Sequence, residues 1–210
     1  MSTSGTVMTD LLWVALAFVC GSLPLSLWLG KVALHVDIRE YGDGNPGAAN
    51  VWRAGGRWWG LLAILLDAFK GAIPVGIAAY VAGVQGWALV AVGLAPILGH
   101  AYSPFLRFQG GKALSVTFGV WMGLTLWQAP VVLGVAFAIW LKILVVEGWA
   151  VLFGMLTLLV FFLATGAPWE WLAVWVGSLA IFLYKHRADY RRRPPLEDGW
   201  LAPLFRRRVP

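Results

Sequence analysis

Charge is what this chain has least of. Asp, Glu, Lys and Arg make up 12% of its 210 residues, against about 25% in an ordinary soluble domain. A water-soluble fold of this size could not hide so much apolar surface, so a soluble globular reading is excluded. Cysteine is nearly absent. The single Cys20 lies inside an apolar run, which rules out an intrachain disulfide and suits a small buried hydrophobe. Histidine is scarce as well: His35, His100 and His186 stand far apart, with no H-x-x-x-H spacing and no cysteine partner, so no metal site is expected. Walker-type spacing, a G-x-S-x-G nucleophile elbow, internal repeats and low-complexity tracts are all missing.

What is there is apolar. The chain is 60% hydrophobic, with a mean hydropathy of +0.76, a surface that lipid can solvate. It carries 14 Trp residues, many near the ends of apolar runs, where amphipathic rings favour the headgroup zone. A net charge of +6 and a pI near 9.8 could suggest nucleic acid, but the basic residues flank hydrophobic runs. In that setting they orient the protein and attract anionic headgroups, so membrane lipids are the expected partners and nucleic acid is not. Asp10 stands before the first apolar run where a secretory leader would carry basic residues, so a cleaved signal peptide is not expected.

Crossing the hydrocarbon core as a helix takes about 20 apolar residues. Runs at 11–34, 58–82, 87–106, 114–126, 130–146, 149–165 and 169–184 predict an all-α polytopic membrane protein of about seven transmembrane helices. The fourth run is short, and is expected to tilt or to extend into the preceding loop. Pro24, Pro74 and Pro96 fall inside runs, where neighbouring helices can re-satisfy the backbone. Every Lys and Arg except Lys70 lies in or beside alternate connections. Lys31, Arg39, Arg53 and Arg57 serve the first, Arg107 and Lys112 the third, Lys142 the fifth; Lys185, Arg187 and the arginines at 191–193 and 206–208 serve the C-terminus. The connections around 84–86, 125–129 and 166–168 have none. The positive-inside rule then predicts an outside N-terminus and a cytoplasmic C-terminus in the inner (cytoplasmic) membrane. Residues 1–210 read as a single membrane domain, with 185–210, including Pro194-Pro195, as a short basic tail.

Candidate chemistry collects on the basic side. The first such loop reads Asp37-Ile38-Arg39, then Gly42-Asp43-Gly44-Asn45-Pro46-Gly47-Ala48-Ala49-Asn50, then Arg53. Glycines let backbone N–H groups turn toward an anion, a following helix adds its positive end, and arginine can grip phosphate with two hydrogen bonds. The residues alone also fit a flexible interhelical loop. A second cradle, Gly110-Gly111-Lys112, precedes another helix, after Gly99-His100 and Ser103-Pro104. His100 is either a hydrogen-bonded core residue or a site residue. Asp67 and Lys70, three apart on the second run, share a helical face and read best as an intramembrane ion pair. His186 closes the last run, beside Lys185 and Arg187.

In this order, Gly21-Ser22-Leu23-Pro24, the 37–50 loop, Asp67-x-x-Lys70-Gly71, Gly99-His100 with Gly110-Gly111-Lys112, and His186-Arg187 resemble the bacterial acyl-phosphate-dependent glycerol-3-phosphate acyltransferase family. The resemblance spans about residues 21–192. It implies seven transmembrane helices and transfer of an acyl group from acyl phosphate to the 1-hydroxyl of glycerol 3-phosphate, giving lysophosphatidic acid without a cofactor. It further implies that Gly44, Asn45, Gly47 and Asn50 shape a phosphate loop, with Gly110, Gly111 and His100 also on the substrate. Arg53, Lys112 and His186 would be the catalytic and charge-neutralising groups.

The chain also departs from that pattern. Asp43 and Ala49 stand where the family has serine and threonine, and Ala113-Leu114-Ser115-Val116 where it has Gly-Val-Ala-Thr. Val145-Val146-Glu147-Gly148 replaces a serine-rich cluster, and Asp189 an asparagine. An aspartate in a phosphate nest is expected to repel its anion. Two other classes of function therefore stay open on sequence: acylation of a different acceptor, and a non-catalytic protein that binds lipid or a partner.

Overall fold

The computed structural model describes residues 3–144 and 146–191. Val145, Pro194-Pro195 and the arginines expected to form the basic tail beyond Arg191 lie outside the described residues. Among the described residues the regular structure is helical, with no strand. The α-helices are α1 (Thr3–Ser22), α2 (Leu25–Ala33), α3 (Ala48–Gly55), α4 (Arg57–Tyr80), α5 (Gly86–Ala101), α6 (Leu114–Thr125), α7 (Gln128–Ile143), α8 (Glu147–Thr165) and α9 (Trp169–Lys185). Two compact units, Met1–Leu126 and Trp127–Pro210, divide the chain. Among the described residues, four stretches are long and apolar enough to cross a membrane: Val7–Ala33, Arg57–Tyr80, Gly86–Leu106 and Glu147–Thr165; α6 and α7 are apolar but shorter. Trp58, Trp87, Trp127 and Trp169 are exposed at helix ends, the position an interfacial belt requires.

In the first unit, small residues let helix backbones touch. Without a hydrophobic drive between helices in lipid, close packing has to hold them together. A Cβ at Gly119 of α6 would overlap the Ala68 carbonyl of α4, and one at Gly99 of α5 would overlap the Phe18 carbonyl of α1. The short α3 is amphipathic. Its Ala48 and Val51 join Leu27, Ile38 and Ala63 in a buried cluster, while Trp52 stays exposed.

Two runs differ from their expected form. The first is not one helix: α1 ends at Ser22 and α2 begins at Leu25. Pro24 has no N–H to continue the ladder, and the freed carbonyls find partners far along the chain. Ser103 Oγ donates to the Ser22 carbonyl at 2.6 Å, and Lys70 Nζ to the Leu23 carbonyl at 2.7 Å. Lys70 also pairs with Asp67 at 2.7 Å, and Asp67 accepts from Ser26 Oγ at 2.5 Å. Both charged side chains are nearly sealed off, at 3% and 1% exposure. The pair thus braces the broken helix. The third run stops being α-helical at Ala101, followed by a short 3-10 turn at Pro104–Leu106. Pro104 disfavours helical geometry in the residue before it, and Ser103 is extended at φ −60°, ψ 123°.

The second unit packs by aromatic contact. Trp140 of α7 stacks on Phe153 of α8 at 4.8 Å, and Trp175 of α9 donates its indole N–H to the Met155 carbonyl of α8 at 2.8 Å.

Candidate active site

The 37–50 loop is a sequence of turns tied to its own side chains. At its entrance the Asp37 carboxylate accepts from the Arg39 backbone N–H at 3.0 Å and from its guanidinium at 2.5 Å. The Arg39 hydrogen bond holds Asp37 at a pKa of about 2. Gly42 and Gly44 then take positive φ, +57° and +73°, conformations in which a side chain would be strained. At Gly42 there is also no room, since a Cβ would lie 2.5 Å from Arg53 Nη1 and 2.6 Å from Asn50 Oδ1.

The centre of the loop is Asp43. Its Oδ1 accepts from the Asn45 backbone N–H and from the Asn50 amide, both at 3.2 Å. Asn50 reaches the Asn45 carbonyl at 2.9 Å and accepts from Arg53 Nη1 at 2.5 Å. Arg53 Nη1 lies 3.9 Å from Asp43 Oδ1, and Lys112 Nζ lies 3.0 Å from Oδ2. Partial burial pushes the Asp43 carboxyl up, but the hydrogen bond and charge of Lys112, with the Asn45 and Asn50 donors, outweigh it. Its pKa is held below the ordinary carboxylate value, so Asp43 is an anion at neutral pH.

The second cradle closes on the first. Gly111 donates its backbone N–H to the His100 carbonyl at 3.1 Å. A Cβ at Gly110 would overlap that carbonyl; one at Gly111 would overlap His100 Nε2 and come within 3.2 Å of Asn45 Oδ1. The two glycines are therefore needed for a close approach, the lysine following them is aimed at the 37–50 loop, and His100 is buried beneath. Of the residues nominated from sequence, Asn45, Asn50, Arg53, His100, Gly110, Gly111 and Lys112 converge here. Gly44 and Gly47 shape the backbone of the same loop.

His186 lies in the second unit. It is buried at the end of α9, with Nδ1 3.1 Å from the Phe182 carbonyl. A carbonyl only accepts, so a hydrogen on Nδ1 would make this contact a hydrogen bond. Gly148, at the start of α8, faces the same turn: a Cβ there would lie 2.6 Å from Asp189 Cβ and 3.1 Å from His186 Cβ. Tyr190 packs edge-on against Trp149 at 5.4 Å. Burial, then the Asp189 carboxylate, pushes its phenol up to about 12, so it remains a protonated donor.

A family model for glycerol-3-phosphate acyltransferases matches residues 11–193. The chain belongs to this family. It is 35% identical to the glycerol-3-phosphate acyltransferase of Desulfovibrio desulfuricans, over 92% of this chain and 86% of the relative. It is 39% identical to that of Thermus thermophilus, over 91% and 94%. Among solved structures it resembles PlsY (YgiH), an integral membrane glycerol 3-phosphate acyltransferase, in its glycerol 3-phosphate form, with a TM-score of 0.79 and 31% identity. That match covers 88% of this chain and 91% of the other. The protein is therefore a multi-pass membrane acyltransferase that acylates glycerol 3-phosphate in phospholipid synthesis.

Four residues at which this acyltransferase departs from the family pattern now have a structural setting. Asp43 does not stand as bare negative charge in the cradle, because Lys112 and the Asn50 amide meet it. Sequence reasoning missed this role; the signal was a lysine in the facing loop with charge to share. Ala113 takes the left-handed conformation, φ +64°, that the family's glycine suits, and is almost fully buried as it does so. A serine in place of Gly148 would collide with Asp189, so the missing hydroxyl belongs with the local packing. Glu147 stands in the first turn of α8, where a carboxylate complements the helix dipole.

Proposed function

We propose that this acyltransferase moves an acyl chain from acyl phosphate to the 1-hydroxyl of glycerol 3-phosphate, releasing lysophosphatidic acid and inorganic phosphate. It does so as a single membrane domain of about seven spans, with its N-terminus outside and its cradle loops on the cytoplasmic face of the inner membrane. One observation carries the substrate assignment: a lysine, an arginine, a backbone N–H and a carboxamide all converge on one anionic group, Asp43. That donor set is what a phosphate requires.

In the reaction, the 1-hydroxyl oxygen attacks the acyl carbon and the bond from that carbon to the bridging phosphate oxygen breaks. Lys112 and Arg53 neutralise phosphate charge; Asn45, Asn50, Gly44, Gly47, Gly110 and Gly111 shape the cradle, with His100 beneath. The hydroxyl proton passes to a base, for which the sequence nominates His186. The acyl phosphate arrives activated, so orientation and charge stabilisation supply most of the acceleration. Purified protein given acyl phosphate and glycerol 3-phosphate should release phosphate in step with formation of lysophosphatidic acid. Release no greater than that of a Lys112→Ala control would refute the assignment.

A further inference from the structure

We infer that Asp43 is a built-in anion that occupies the phosphate cradle and sets its affinity, so that glycerol 3-phosphate binds by taking Lys112 and Arg53 from this carboxylate. The inference rests on the substrate assignment above and concerns a residue at which this chain departs from its family's pattern. Oδ2 is within 3.0 Å of the Lys112 ammonium, and Oδ1 collects the Asn45 N–H, the Asn50 amide and the fringe of the Arg53 guanidinium. Each of these partners is a group the incoming phosphate would use.

Two features make the contact exchangeable. First, the side chains of Asp43 and Lys112 retain 39% and 21% of their exposure, so water and an arriving anion can reach them. Second, Arg53 is shared: its Nη1 is 2.5 Å from Asn50 Oδ1 but 3.9 Å from Asp43, which leaves it half-committed. A serine at position 43 would accept one hydrogen bond without a charge and leave both cations for the ligand. With Asp43 the cradle presents two cations against one fixed carboxylate. A dianionic ligand is opposed by that carboxylate, which also ties the loop together through Asn45 and Asn50.

The test is the affinity of the full-length protein in detergent for inorganic phosphate and glycerol 3-phosphate, measured calorimetrically for wild type, Asp43→Asn and Asp43→Ser. Both variants should bind both ligands about three- to fivefold more tightly, the size expected for a half-exposed ion pair. In steady state the KM for glycerol 3-phosphate and the Ki for inorganic phosphate should fall by the same factor. Unchanged or weaker binding in folded Asp43 variants would overturn the inference, and so would loss of folding in both, which would make Asp43 purely structural. If wild type shows no acceptor-dependent phosphate release, it is the substrate assignment that fails; if wild type turns over and the variants bind no tighter, only the role of Asp43 does.

Discussion

Among its described residues the first unit contains two aspartate–lysine pairs, and they sit in opposite surroundings. Asp67 and Lys70 are one helical turn apart, nearly sealed from solvent, and tied to Ser26 and the Leu23 carbonyl across the break between α1 and α2. Asp43 and Lys112 come from loops distant in sequence, remain partly exposed, and are ringed by amides rather than by helix backbone. Burial decides the difference. A sealed ion pair cannot exchange partners without stranding a charge, whereas a half-exposed pair can trade its carboxylate for a ligand at small cost. The same two residue types thus give a sealed brace in one place and a partly exposed, exchangeable pair in the other.

The largest effect that would separate them is expected from Asp67→Asn. It leaves Lys70 buried without a counter-charge, which should cost about 3–5 kcal/mol and lower the melting temperature in detergent by roughly 10 °C. A loss as small as that of an exposed pair would erase the distinction. Next in size is Ala113→Gly, at the hinge between Lys112 and α6. Relief of the left-handed alanine should stabilise the protein by about 1 kcal/mol, read as a rise of about 2–4 °C in melting temperature. No rise would mean that the conformation at position 113 carries no strain.

The smallest effect is that of Asp43→Asn on stability. At neutral pH wild type should melt no more than about 2 °C above the variant, since the pair is half-exposed. The folded-state pKa of Asp43 is depressed, so its contribution is complete above the unfolded carboxylate value of about 3.9. It is lost as pH falls through the lower folded value. The gap between the two melting curves should therefore hold from neutral pH down and close only below about pH 4. Closure near neutrality would point to a histidine instead.

Much of the candidate site was legible because its chemistry is local. Glycines, amides and an arginine within a dozen or so residues suggest a turn-rich loop suited to an anion, and Gly110-Gly111-Lys112 suggests a second. What stayed hidden was every feature set by partners distant in sequence. Hydropathy runs without interruption through Leu23-Pro24, but whether a proline bends or breaks a membrane helix depends on which groups donate to the freed carbonyls, here Ser103 and Lys70. Composition likewise continues past Ala101, while the chain leaves the helix at the Ser103-Pro104 step. The ion pair of Asp43 stayed hidden for the same reason, because the lysine that meets it stands in a loop distant in sequence.

The most direct test of the account is the dependence of phosphate release on glycerol 3-phosphate concentration, compared between wild type and Lys112→Ala at matched melting temperature. Loss of most of kcat/KM for glycerol 3-phosphate without loss of fold is the predicted result, placing the substrate's charge on the loop pair. An unchanged kcat/KM would contradict it and move the phosphate site away from Lys112.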